Sequence, residues 1–216
     1  MKSLIGIIVV FVVAIVAIAV FSGGSNGGNL PLNSVVATDH VAGNASSSVV
    51  FIEYADFQCP ACRSYYPILL EVKETYRDRI AFVYRHFPLK NIHYNAEPAA
   101  WASEAAGMQG KFWEMHNLLF EKQNEWASAS DLKSVFTDYA ILLGLDKEKF
   151  LTNLDSRSVK DIVANNRSSA IKNGFDSTPT FVLNGVKIEN PQSLQAFKLI
   201  IDKALKDSQV SQSLPQ

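Results

Sequence analysis

The chain has 216 residues, 20 Lys and Arg against 21 Asp and Glu, a formal net charge of −1, and 48% hydrophobic residues. Near-neutral charge with no basic stripe or Arg/Lys cluster argues against nucleic acid as a partner. The chain holds only two cysteines, too few for a zinc tetrad, so any metal site would need histidines to complete it.

Leu4 to Phe21 carries no charge over 18 residues, which as a helix would span about 27 Å, close to the hydrocarbon thickness of a bilayer. That length favours an uncleaved anchor over a cleaved signal, because Ala17-Ile18-Ala19 lies inside the apolar run instead of beyond it. Residues 1–21 are therefore read as an N-terminal membrane anchor or signal. Lys2 and the amino terminus are the positive charges that flank it, which keeps that end cytoplasmic and places the rest outside. The reading is a single-pass protein of the cell membrane with an extracytoplasmic catalytic domain. Residues 22–34 hold four of the 11 glycines and no charge, the composition of a flexible linker. The remaining chain suffices for one core with an inserted subdomain.

Val49 to Asp56 is apolar and β-branched enough for a buried strand, and it leads straight into Cys59-Pro60-Ala61-Cys62. Pro60 suits the first turn of a helix running to about Tyr76, since its missing N–H would have no intrahelical partner there. Pro67 lies inside that helix and is expected to kink it. Ile80 to Phe87 reads as a second strand. Between Asn91 and Gly174 the pattern is wholly helical. Pro98 opens an Ala-rich segment to Ala106, and Phe112, Met115 and Leu119 share one face. Ser130 starts another helix that Gly144 ends, and Asp146 and Ser158 are further N-caps. Thr180 to Leu183 and Val186 to Glu189 flank Asn184-Gly185, the pair that a two-residue type I′ hairpin demands. Ser193 caps a closing helix with Leu194, Phe197, Ile201 and Leu205 at helical spacing. Residues 35–90 and 175–207 are thus one α/β domain, 91–174 a helical insertion, and 208–216 a tail.

A CxxC without a second cysteine pair reads as a redox site, and an exported chain places it where a disulfide can cycle. A cysteine at the amino end of a helix meets unpaired N–H groups and the positive end of the macrodipole, which favour thiolate. Cys59 is therefore the candidate nucleophile, and Cys62, one turn in, the candidate resolving thiol. The plainer readings are a static disulfide or half of a metal site. Glu53 lies on a strand that otherwise reads as buried, where desolvation disfavours its charged form and suits it to take a proton from Cys62. Its bland alternative is a solvated edge-strand glutamate. His116 shares an apolar face with Phe112 and Leu119 and reads as a packed histidine, while His86 and His93 flank Pro88 within possible reach of the cysteines. Trp113 and Phe120 read as core or as the lining of a substrate groove. Asn44-Ala45-Ser46 and Asn166-Arg167-Ser168 are glycosylation sequons.

Phe51-Ile52-Glu53-Tyr54-Ala55-Asp56-Phe57-Gln58-Cys59-Pro60-Ala61-Cys62, then Gln109-Gly110-Lys111-Phe112-Trp113-Glu114-Met115-His116, then Ser177-Thr178-Pro179-Thr180-Phe181 resemble the DsbA-like thioredoxin-fold family of exported thiol-disulfide oxidoreductases. The resemblance covers residues 39 to 207. It implies a thioredoxin-like α/β fold with an inserted all-helical subdomain, Cys59 attacking, Cys62 resolving, Glu53 as a buried acid and Pro179 as a cis-proline packed against the disulfide. Thr178 would offer its backbone to an extended substrate segment. The resemblance implies no cofactor beyond the Cys59-Cys62 disulfide. Its implied partners are exported cysteine-containing proteins and a membrane redox partner of the DsbB or vitamin K epoxide reductase type. One departure matters: the best-known oxidases of the family have a histidine where this chain has Ala61 in its Pro60-Ala61 dipeptide. Its absence points to a less oxidising disulfide. The leading reading is an oxidase of exported proteins. The alternatives are a disulfide reductase or isomerase on the same fold, and, from another class, a metal-binding module built on Cys59, Cys62 and a histidine.

Overall fold

The computed structural model describes residues 29–213. The stretch read as an anchor, 1–21, and most of the predicted linker lie outside them. Among the described residues no helix is long and apolar enough to cross a membrane.

The fold is organised by β2 (Val50–Ala55), all six of whose residues are buried. A strand apolar on both faces needs cover on both, and β2 sits centrally in a five-stranded sheet of order β1-β3-β2-β4-β5. It runs parallel to β3 (Ala81–His86) and antiparallel to β4 (Thr180–Leu183), with Glu53 in register with Tyr84 and Phe181. β1 (His40–Gly43) adds antiparallel to β3, and β5 (Val186–Ile188) closes the other edge against β4. Asn184 and Gly185 both have positive φ, 48° and 87°, as a type I′ turn requires.

The period of two sorts the side chains. Phe51, Phe82 and Phe181 face α1 (Pro60–Tyr76) and the closing helix α8 (Leu194–Ser213) through Leu69, Val72, Phe197 and Ile201. Val50, Ile52, Tyr54, Val83 and Val182 face the other way, against Ala170 of α7 (Arg157–Lys172) and Phe175. The remaining helices are α2 (Ala96–Gly107), α3 (Phe112–Glu121), α4 (Gln123–Trp126), α5 (Leu132–Leu142) and α6 (Lys147–Leu154). Their core, which includes Leu119, Phe120, Trp126, Phe136 and Phe150, is continuous with Ala55, Phe57, Cys59 and Cys62. The insertion is therefore packed onto the cysteine end of the sheet.

Several boundaries differ from the sequence reading. β1 was not foreseen. Asp131, not Ser130, caps α5 by accepting from the Ser134 amide, and Ser156, not Ser158, caps α7. α8 runs on to Ser213 through residues read as a tail. Residues 29–34, assigned to the flexible linker, are docked. The Leu30 amide donates to Ser169 Oγ at 3.2 Å, and Arg85 donates to the carbonyls of Pro31 at 2.7 Å and Ser34 at 3.4 Å. Arg85 is fully buried and pairs with Asp39 through two 2.8 Å hydrogen bonds. The sequon at Asn166 is internal, because that side chain is buried and accepts from the His86 amide at 3.0 Å.

Candidate active site

Two local facts place the cysteines. Cys59 is the N-cap of α1, with extended φ −71° and ψ 123°, and Pro60 occupies the first helical turn. Cys62 is one turn in and completely buried, while Cys59 is 6% exposed. Both are free thiols in this structure. The Cys62 thiol hydrogen-bonds to Cys59, and the Thr178 side chain and the amides of Cys62 and Ala61 add to it. Together these overcome burial and lower Cys59 to about 6. Cys62 moves the other way, above the ordinary thiol range, first because it is buried and then because it donates to Cys59. One sulfur is thus a ready thiolate and the other holds its proton.

Thr178 lies against Cys59. The Thr178–Pro179 peptide is cis, and the Cys59 thiol donates to the Thr178 carbonyl at 3.4 Å. Thr178 Oγ1 is buried without another partner, so it is free to donate to the sulfur once that sulfur is ionised.

Glu53 is 2% exposed, not a solvated edge glutamate. Burial raises it to about 8, against the pull of Lys73. Lys73 is lowered to about 8, again by burial, with Glu53 opposing. This lysine escaped the sequence reading, although it stands on the Leu69, Val72 and Tyr76 face of α1, where a lone charge calls for a buried partner. Its Nζ lies 4.6 Å from the centroid of Trp113, so Trp113 roofs the lysine, and Phe120 belongs to the core. A cavity of about 320 Å³ lined by Lys73, Trp113 and Asn117, among others, meets the ammonium from outside.

The histidines separate clearly. His116 is buried, pushed well below its ordinary range by desolvation and then by Lys73, and packs edge-on to Tyr84 at 4.9 Å. His86 and His40 both reach Glu104, at 2.8 and 3.0 Å. Burial alone would raise Glu104, but those two histidines hold it at about 2. His93 instead reaches the Asp56 carboxylate in the turn before Cys59, at 2.8 Å. Gln123 of α4 supports the same turn, donating to the carbonyls of Phe57 at 2.6 Å and Cys59 at 3.1 Å. Asp56 and Gln123 were also missed. The first stands inside the quoted motif, and the second had no sequence signal, since its role comes only from where the insertion docks. Among the described residues no group of three or more His, Cys, Asp or Glu is arranged to hold a metal ion.

Comparisons with known proteins agree with this geometry. The thioredoxin family model matches residues 35–203. Among solved structures, alpha-DsbA1 of Wolbachia pipientis is 25% identical with a TM-score of 0.74, over 84% of this chain and 98% of that one. A thioredoxin-like oxidoreductase of Silicibacter pomeroyi is also 25% identical, with a TM-score of 0.66 over 79% and 94%. BdbD of Bacillus subtilis shares the fold at 23% identity and a TM-score of 0.71, over 82% and 98%. Curated relatives include the Na(+)/H(+) antiporter NhaA 3 of Salinispora tropica, 37% identical over 166 residues, and NhaA 1 of Mycolicibacterium vanbaalenii, 38% identical over 157. The chain spans about a quarter of their length, 24% in each case, although the matches take in 77% and 71% of the chain itself. The paired cysteines at the helix end, the buried acid behind them and these matches lead to one conclusion: the chain belongs to the thioredoxin family as a DsbA-like thiol-disulfide oxidoreductase.

Proposed function

We propose that this protein is an extracytoplasmic oxidase that donates the Cys59–Cys62 disulfide to exported cysteine-containing proteins. The observation that carries this reading is the division of labour between the sulfurs, with Cys59 lowered to about 6 and Cys62 raised. A stabilised thiolate stabilises the reduced form, and a stable reduced form makes the disulfide a good electron acceptor.

In the forward direction a substrate thiolate attacks Cys59 Sγ. The new substrate–Cys59 bond forms as the Cys59–Cys62 bond breaks, and Cys62 leaves and takes a proton from Glu53. A second substrate thiolate then attacks the substrate sulfur of the mixed disulfide, and Cys59 departs as thiolate. The substrate loses two electrons and the enzyme gains them. Glu53, raised to about 8, sits near ambient pH, where a group can both give and accept a proton. The Thr178 backbone beside Cys59 is the candidate docking edge for an extended substrate segment, and Pro179 keeps that segment beside the sulfur. Reoxidation falls to a membrane partner of the DsbB or vitamin K epoxide reductase type. Residues 1–21 supply the tether that holds the enzyme at the membrane.

The alanine at position 61 favours a second reading, a reductase or isomerase, because it leaves Cys59 without a neighbouring cation in the dipeptide. The test of the exchange chemistry is capture. Cys62→Ser should accumulate mixed disulfides through Cys59 that reductant releases, and Cys59→Ser should form none. An absence of captured substrate in oxidising medium would sink the proposal.

A further inference from the structure

The loop between β3 and α2 meets the active-site turn at one buried carboxylate. Asp56 is 1% exposed, and each part of it touches the redox pair or the loop. Its carbonyl accepts the Cys59 amide at 3.1 Å, and its own amide faces the Cys62 sulfur. Its carboxylate accepts from the amides of Gln58 at 2.7 Å and Leu89 at 2.9 Å, and from His93 Nδ1 at 2.8 Å. Of these three donors two are backbone amides. His93 alone among them can carry a charge. Lys90 and Arg167 are engaged elsewhere, Lys90 with Glu97 at 3.4 Å and Arg167 with the Pro88 carbonyl at 3.2 Å.

We propose that His93 is a positioning residue for the exchange reaction, fixing through Asp56 the amide and carbonyl that hold the two sulfurs. A buried carboxylate deprived of one donor must reorient, take up a proton or admit water. Each response moves the Asp56 peptide that serves Cys59 and Cys62. The Nδ1 hydrogen bond also ties up a carboxylate lone pair beside a sulfur that must itself become negative. Both effects stabilise the reduced pair, so losing His93 should favour the disulfide. With alanine at position 61, this histidine supplies from a distant loop a support that the CxxC dipeptide does not. The inference rests on Cys59–Cys62 exchange and is independent of the direction of electron flow.

The test equilibrates the full-length chain and its His93 variants with glutathione buffers, with a thermal melt on each. His93→Ala should shift the equilibrium by about threefold or more toward the disulfide, as expected when part of a charge-assisted hydrogen bond is lost to the reduced pair. His93→Asn, whose amide nitrogen replaces Nδ1, should return most of the shift. A folded His93→Ala with the wild-type equilibrium overturns the inference, as does a lowered melting temperature without a redox shift. If His93→Ala does not fold, His93→Asn is compared with His93→Gln, which places its amide elsewhere. The first should match wild type and the second should be shifted, and equal values overturn the inference. A wild-type pair that fails to exchange with glutathione would overturn the exchange chemistry itself.

Discussion

Cys59 and Glu53 obtain their chemistry from opposite treatments of a charge. The sulfur sits where helix amides and hydroxyl and thiol donors converge, so its anion is favoured despite burial. The carboxyl is buried on the central strand, so its anion is disfavoured by desolvation even though Lys73 pulls the other way. Glu53→Gln should slow resolution of a Cys59 mixed disulfide by about 100-fold, the low end of general acid–base contributions. It should also flatten a pH profile that in wild type rises through about 8 as Glu53 becomes able to accept the Cys62 proton. Single-turnover release of a model thiol reads both. The same substitution should stabilise the protein. Between its unfolded value near 4.5 and about 8 the folded chain holds a proton that the unfolded chain does not, so wild-type stability falls with rising pH across that window. The advantage of Glu53→Gln should be absent below pH 4.5 and grow toward pH 8, read from melting temperatures.

At the scale of elements, the sequence announced what local rules govern. The proline at the first turn of α1, the Asn184-Gly185 hairpin and the apolar run of β2 each carry their own instruction, and each element formed where expected. What was missed depends on contact. β1 is four residues that become a strand only against β3. Ser130 and Asp131 stand side by side as possible caps, and only the geometry with Ser134 chooses between them. Lys73 and Asp56 were visible as residue types, but Glu53, 20 positions from Lys73, and Leu89 and His93, more than 30 from Asp56, meet them only in the fold. Gly43 shows how tightly β1 is held. Its φ is +92°, and an added Cβ would stand 2.7 Å from the Ile80 carbonyl and 2.8 Å from that of Arg77. Gly43→Ala should therefore cost about 1–3 kcal/mol, seen as a lower denaturant midpoint with an unchanged slope. A wild-type midpoint would show that the β1 edge adapts freely.

Across the whole molecule, the insertion completes the site. Its core contains both cysteines, its α4 secures their turn through Gln123, and its first loop reaches Asp56 through His93. The segment leading in from the amino end is stapled to the back of the sheet by Arg85 and Asp39, whose side chains are 0% and 1% exposed. Arg85→Met would strand the Asp39 carboxylate and should cost about 3–5 kcal/mol, by chemical denaturation, while the redox equilibrium of the cysteines, which lie beyond the other face of the sheet, holds. A large change in that equilibrium would mean that the two faces of the sheet are coupled.

The direction of electron flow is the central claim, and the reduction potential of Cys59–Cys62 tests it most directly. Cys59 at about 6 lies between the attacking cysteines of thioredoxin, about 7, and DsbA, about 3.5. Their potentials are about −270 mV and about −120 mV. Full-length protein equilibrated with glutathione and read by thiol alkylation should give a value between those two. A value at or below the thioredoxin level would contradict the oxidase and make the protein a reductase.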